Sequence, residues 1–167
     1  SQTHGGQEVL DLIEELRSGD GAQRISAVQR LSIFRATVAA SALAERLRDR
    51  SLEVRVAAAI SLAACGSRES VKPLLAALTS REPLVAQAAA IAIENLTGHA
   101  EPFDAFTTRS ERQRQASRWR QWFAETNWEK IEAELVQRLQ SSDRDVVRRA
   151  AVSLGHTGGD TARDALR

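Results

Sequence analysis

Cys65 is the only thiol in this chain, so no intrachain disulfide can form and the fold must be held by packing. It follows Leu62, Ala63 and Ala64 and reads as a small buried hydrophobe rather than a reactive group. Histidine is scarce: only His4, His99 and His156 occur, and none sits among other metal-binding types at ligand spacing. His4 lies in a polar terminus, residues 1–7, that is expected to be flexible; His156 falls in a glycine-rich stretch, Gly155 to Gly159, that reads as a solvated turn. No apolar run approaches the roughly 18 residues of a membrane span. No secretory leader is visible either, and a cytoplasmic setting is the expectation. The first residue is Ser1 rather than Met, which suits a processed chain or a piece of a longer one.

The formal charge is +1, from 23 Lys and Arg against 22 Asp and Glu, so no overall pull toward nucleic acid or membrane follows. Nucleophile elbows and Walker loops are missing. His99 and Glu101 have the spacing of half a zinc-deaminase signature, but its paired cysteines are absent. The carboxylate pairs Glu14/Glu15 and Glu132/Glu134 fall on helical positions expected to face water, where nothing would raise a pKa. These absences disfavour an enzyme and imply no cofactor and no metal.

What the chain does have is a period. Leu12 returns at Leu43 and Leu74, Leu16 at Leu47 and Leu78, and Leu31 at Leu62 and Ile93, each 31 residues apart. Self-similarity at that interval marks a repeat architecture in which each unit buries its apolar face only against its neighbours. Ser51 to Ser80 is the clearest unit. Ser51 can cap a helix carrying Val54, Ala58, Ile60 and Leu62; Gly66 and Ser67 break it; and Val71, Leu74, Leu75 and Leu78 form a second helical stripe. Asp20, Ser51, Glu82 and Asp143 occupy equivalent cap positions, with Pro83 at a first helical position. Arg24 and Arg55 align four residues after their caps and read as a structural ladder to neighbouring caps. A helix over Glu8 to Arg17 looks like a second helix with no first helix before it.

Asp143, Val147 and Arg148, Ala150 and Ala151, Leu154 and Gly155, then Gly159, Asp160 and Ala162, resemble the short HEAT-like repeat of bacterial proteins, of the bilin-lyase-like type. Ser51 to Leu78 and Glu82 to Leu96 are similar but looser. The resemblance implies an all-α, right-handed α-solenoid of about four helix pairs plus an initial helix, with second helices lining a concave side. It implies little about activity, since members include scaffolds, regulatory subunits and bilin lyases, and a related fold serves certain DNA glycosylases.

One unit is interrupted. Leu31 precedes Leu43 by 12 residues, and Leu62 precedes Leu74 by the same interval, but Ile93 and Leu135 are 42 apart. The excess of 30 residues lies roughly between Thr97 and Asn127 and makes an insertion of residues 97–127 in the third repeat of a single domain. Within it, Thr97 to Thr108 reads as an ordered loop pinned by Phe103 and Phe106. Ser110 with Gln113 offers a capping box for a helix from Glu111 to about Glu125. Ala116, Trp119, Trp122 and Phe123 share one side of that helix, and all three tryptophans fall in or beside it. The motif resembles an insert recurrent in bacterial HEAT-like proteins. Packing against the solenoid is its first reading; an aromatic hot spot for a partner is the rival.

Arginines concentrate in the same stretch. Arg109, Arg112, Arg114, Arg118 and Arg120 against Glu111 give residues 109–120 a charge of +4. A solvated helix face explains them, and so does a site for an acidic protein or a phosphate. Nucleic acid is disfavoured because no basic track continues elsewhere. The second helices contribute outward positions such as Ser41, Glu45, Glu69, Lys72, Glu134 and Gln137. The candidate partner-binding residues are therefore Arg112, Arg114, Arg118, Arg120, Trp122, Glu45, Lys72 and Gln137. The expected function is a noncatalytic protein–protein interaction scaffold, a module of a larger bacterial protein or complex, taking a protein or peptide of acidic character. A bilin-lyase-like or nucleic-acid role and a plain structural spacer are the alternatives, and fold alone licenses neither.

Overall fold

The computed structural model describes residues 2–167, and among them every regular element is helical. The ten α-helices are α1 (Gln2–Ser18), α2 (Gly21–Phe34), α3 (Ala40–Glu45), α4 (Leu52–Cys65), α5 (Val71–Ala77), α6 (Pro83–Thr97), α7 (Arg109–Glu125), α8 (Trp128–Arg138), α9 (Arg144–Thr157) and α10 (Asp160–Ala165). Of the terminus expected to be flexible, residue 1 lies outside the described residues, and the helix begins at Gln2, six residues before the expected Glu8. Short 3-10 turns lead into α3 and α5 and continue α3, so these second helices are shorter than their partners.

The caps explain where the first helices start. The Asp20 carboxylate accepts from the Gln23 N–H while the Gln23 side chain accepts from the Asp20 N–H, at 2.9 and 2.7 Å. Ser51 and Asp143 cap α4 and α9 with their side-chain oxygens. Glu82 holds the matching position without a side-chain bond, and Pro83 compensates by presetting the first helical residue.

Two rows result, which is the α-solenoid expected from the period. First helices pack in succession, α2 on α4, α4 on α6, and α6 on α9; α1, α3, α5 and α8 lie against the following first helix, α2, α4, α6 and α9 respectively. All nine residues that carry the 31-residue period are buried. Ile60, on the helix that Ser51 caps, is 59% exposed, because its column points out of the first-helix row together with Ile91 and Val152.

Hydrogen bonds tie the first-helix row together. Ser61 and Cys65 on α4 donate to the carbonyls of Val28 and Leu31 on α2. Ser153 and Thr157 on α9 donate to those of Asn95 and Leu96 on α6, at 2.7 and 3.1 Å. Cys65 is thus a buried structural thiol whose pKa burial pushes up, the opposite of an activated nucleophile.

The chain leaves α6 at Gly98, in the left-handed region at φ 71°. A Cβ there would lie 2.5 Å from Leu135 Cδ2, and Arg138 donates to the Gly98 carbonyl at 2.6 Å. Glycine is required twice over, by backbone sign and by space. Gly98→Ala is expected to lower stability by about 1–3 kcal/mol in urea unfolding, the usual range for overpacking.

Candidate functional site

The segment between α6 and α8 is built inward. Its loop is held by two glutamines. Gln87 on α6 donates to the Phe103 carbonyl and accepts from the Ala105 N–H, at 3.2 and 3.0 Å. Gln115 on α7 does the same with both backbone groups of Asp104. The aromatic pin is half of what was expected: Phe103 packs on the core, while Phe106 is 65% exposed. Helix α7 starts two residues earlier than the Ser110 reading placed it, because Thr108 accepts from the Glu111 N–H at 3.2 Å.

Trp119 is 1% exposed and is the largest fully buried side chain. It meets His99 edge-on, and His99 stacks flat on Trp122, with centroids 3.9 Å apart and planes 3° from parallel. The series continues through Phe123 to Trp128, over which the Arg68 guanidinium sits at 5.2 Å. Trp122, Phe123 and Trp128 touch both hydrophobic clusters, the large one running from α1 to α7 and the smaller one in α8–α10. The insert therefore joins the last pair of helices to the rest.

Two polar residues expected to be solvated are half-buried instead, and the first belongs to this joint. Glu132 is half-buried: it accepts from Arg68 at 3.0 Å and from the N–H groups of Gly159 and Ala162, capping α10 from α8. His156 lies within α9 rather than in a turn, and burial, with the charge of Arg35 in the same direction, pushes its pKa below the usual imidazole value. The turn itself is Gly158 and Gly159.

The arginine run does not act as one cluster. Arg112 donates to the Ala105 carbonyl. Arg114 is paired with Glu111 at 2.6 Å. Arg118 is exposed on the side of α7 away from Trp119. Arg120 reaches α5, donating to the Leu75 carbonyl and the Thr79 hydroxyl at 3.3 and 3.4 Å.

Arg120 joins the other candidates along the second-helix face, where adjacent depressions follow one another. A groove of 790 Å³ between α3 and α5 is lined by Ser41, Glu45, Arg48, Glu69 and Lys72 among others. Next to it, between α5 and α7, lies a hollow of 480 Å³ lined by Lys72, Leu75, Ala76, Arg120 and Phe123. A third, of 550 Å³ between α7 and α8, has Trp122, Lys130, Glu134 and Gln137 in its walls. Glu45, Lys72, Arg120, Trp122 and Gln137 thus share one face; Arg112, Arg114 and Arg118 line none of these hollows. Arg48 escaped the sequence reading because it follows the last core leucine of its pair and carries no motif.

Among the described residues no three of His, Cys, Asp or Glu converge as a metal site, and no helix is long and apolar enough to cross a membrane. A family model described as HEAT repeats matches residues 9–94 and again 40–118. Among solved structures the chain is similar to the crystal structure of an engineered protein, a Northeast Structural Genomics Consortium target, at 23% identity and a TM-score of 0.46. That match covers 95% of this chain and 66% of the other. No curated protein matches.

Proposed function

The chain belongs to the HEAT-repeat family, and from that premise we propose that it is a noncatalytic scaffold whose second-helix face holds a segment of a partner protein. HEAT repeats generally mediate protein interactions, along the extended surface that stacked units create. One observation carries the reading: the hollows between α3 and α8 follow each other on that face, and their walls hold exposed charged side chains, of which Arg48 and Lys72 make no ion pair among the described residues. Other polar groups are bound into the fold, among them Gln87, Gln115 and Glu132. The module is read as part of a larger protein or complex, with an acidic partner as the finer expectation.

The test compares partner recovery by affinity capture on the full chain and two variants. Replacing Glu45, Lys72 and Gln137 together by alanine is expected to abolish recovery of the wild-type partner. Ile60→Ser with Ile91→Ser, on the opposite row, is expected to retain it. Equal recovery by the first variant would remove the second-helix face from consideration.

A further inference from the structure

Charge is unevenly distributed on this face. The α3/α5 groove holds both signs, and its carboxylates are engaged: Glu45 lies 4.0 Å from Arg46, and Glu69 accepts from the Ser67 hydroxyl at 2.8 Å. Two hollows that adjoin this groove, and share Ala76, Arg48 or Lys72 with it, differ from it. One, of 240 Å³, has Arg48 as its only charged lining residue; the other, of 480 Å³, has Lys72 and Arg120 and no carboxylate. Among the described residues Arg48 and Lys72 make no ion pair, and Arg120 donates only to neutral oxygens. Between the three cations the floor is apolar, formed by Pro73, Leu75, Ala76 and Phe123.

Resting on the scaffold reading above, we infer that this central strip takes an acidic peptide segment, with carboxylates on Arg48, Lys72 and Arg120 and an apolar side chain against Ala76 and Phe123. Charge complementarity argues for it: three exposed cations on three successive elements border an apolar floor, and the carboxylates nearest Arg48 and Lys72, those of Glu45 and Glu69, lie in the α3/α5 groove, where each already has a neighbour of its own. Helix axes packed about 8–10 Å apart set the outer cations roughly 16–20 Å from each other. At about 3.3 Å per residue, an extended stretch of five or six residues crosses that distance. A nucleic-acid backbone fits less well, because Glu45 and Glu69 at one end and Glu125 and Glu134 at the other interrupt any phosphate track.

The probe is a fluorescein-labelled peptide of about twelve alternating glutamate and leucine residues, read by anisotropy on the full chain. Its controls are the same peptide with glutamine for glutamate and an oligothymidylate of equal length. The glutamate peptide is expected to bind roughly tenfold tighter than the glutamine one and to weaken several-fold between about 0.05 and 0.2 M salt. Arg48→Glu, Lys72→Glu and Arg120→Glu together are expected to weaken it by roughly tenfold or more, with Lys72→Glu alone giving a smaller loss in the same direction should the triple variant fail to fold. Arg114→Glu with Arg118→Glu is expected to change it about twofold at most, since those side chains lie off the strip. Equal binding of the glutamate and glutamine peptides would overturn the inference. So would a loss in the Arg114/Arg118 variant as large as in the triple one, or tighter binding of the oligothymidylate. If the peptide fails while the alanine face variant loses its captured partner, acidity is wrong and the scaffold reading survives. If that face variant keeps its partner, both are lost.

Discussion

Trp119→Ala is expected to destabilise the protein by about 3–5 kcal/mol, the range for emptying a buried tryptophan site, and to lower the thermal midpoint by roughly 10 °C. Trp119, Ala116 and Gln115 are the buried residues of α7, and of these only Trp119 is large. Its loss leaves α7 with Ala116 as its one fully buried apolar side chain, beside the half-buried Trp122 and Phe123, the Arg120 bonds to α5 and the glutamine clamp on its loop. The damage should travel. His99 and Trp122 both pack edge-on against Trp119, at 5.4 and 6.0 Å, and Trp122 lies on the boundary between the two hydrophobic clusters. Hydrogen exchange in α8, α9 and α10 is therefore expected to rise more than in α2 and α4, because the joint that couples the last pair to the others is loosened. Trp119→Phe separates volume from chemistry: the indole N–H is buried without a partner, so phenylalanine loses no hydrogen bond and is expected to cost about half as much or less. A Trp119→Ala midpoint equal to that of the wild type would mean that α7 is not anchored through this side chain.

Two kinds of signal separate what the sequence disclosed from what it hid. Local, periodic features were readable: all four first-helix caps, the 31-residue leucine columns and the position of the interruption depend on residues a few places apart or on exact recurrence. Partners brought together by folding left no such trace. The capping of α10 by Glu132 spans 27 and 30 residues. The clamp of Gln87 on the loop spans 16 and 18. Nothing local marks either. Ser110 was mistaken for a cap because Ser110 and Thr108 both satisfy the same three-residue rule, and only the path of the loop selects Thr108. The arginine run illustrates the same limit. Five like charges close in sequence wrap around a helix, so only Arg120 lines one of the hollows, while Arg48 and Lys72, far away in sequence, arrive beside it.

Arg24, the first rung of the arginine ladder, has a partner that no local pattern marks. Arg24 does not bond a neighbouring cap. It donates through Nε and Nη2 to both oxygens of Asp49, at 2.9 Å each, and through Nη1 to the Gly19 carbonyl at 2.8 Å. Asp49 accepts in addition from the Ser51 N–H at 2.9 Å and from Arg46 at 3.2 Å, while Arg55 donates to its carbonyl at 2.8 Å. Arg24 and Asp49 are 4% and 6% exposed, so the pair is sealed between α2 and the start of α4. Burial alone would raise the pKa of Asp49; the bonds from Arg24 and Ser51 and the charges of Arg24 and Arg46 outweigh it and hold the carboxylate below its ordinary value. A carboxylate so depressed stabilises the fold above its unfolded pKa and stops doing so as pH falls through the lower folded value. The thermal midpoint of the wild type is therefore expected to fall on acidification below the ordinary carboxylate range, and that part of the slope should vanish in Asp49→Asn. Asp49→Ala strands a buried guanidinium and is expected to lower the midpoint by on the order of 10 °C at neutral pH. Arg24→Met combined with Asp49→Leu should recover much of that loss, because an apolar pair in the same space carries no desolvation cost. Failure of the double variant to recover would assign the loss to the backbone contacts Asp49 makes with Ser51 rather than to the pairing, and an unshifted Asp49→Ala midpoint would show that Arg24 finds water at this joint.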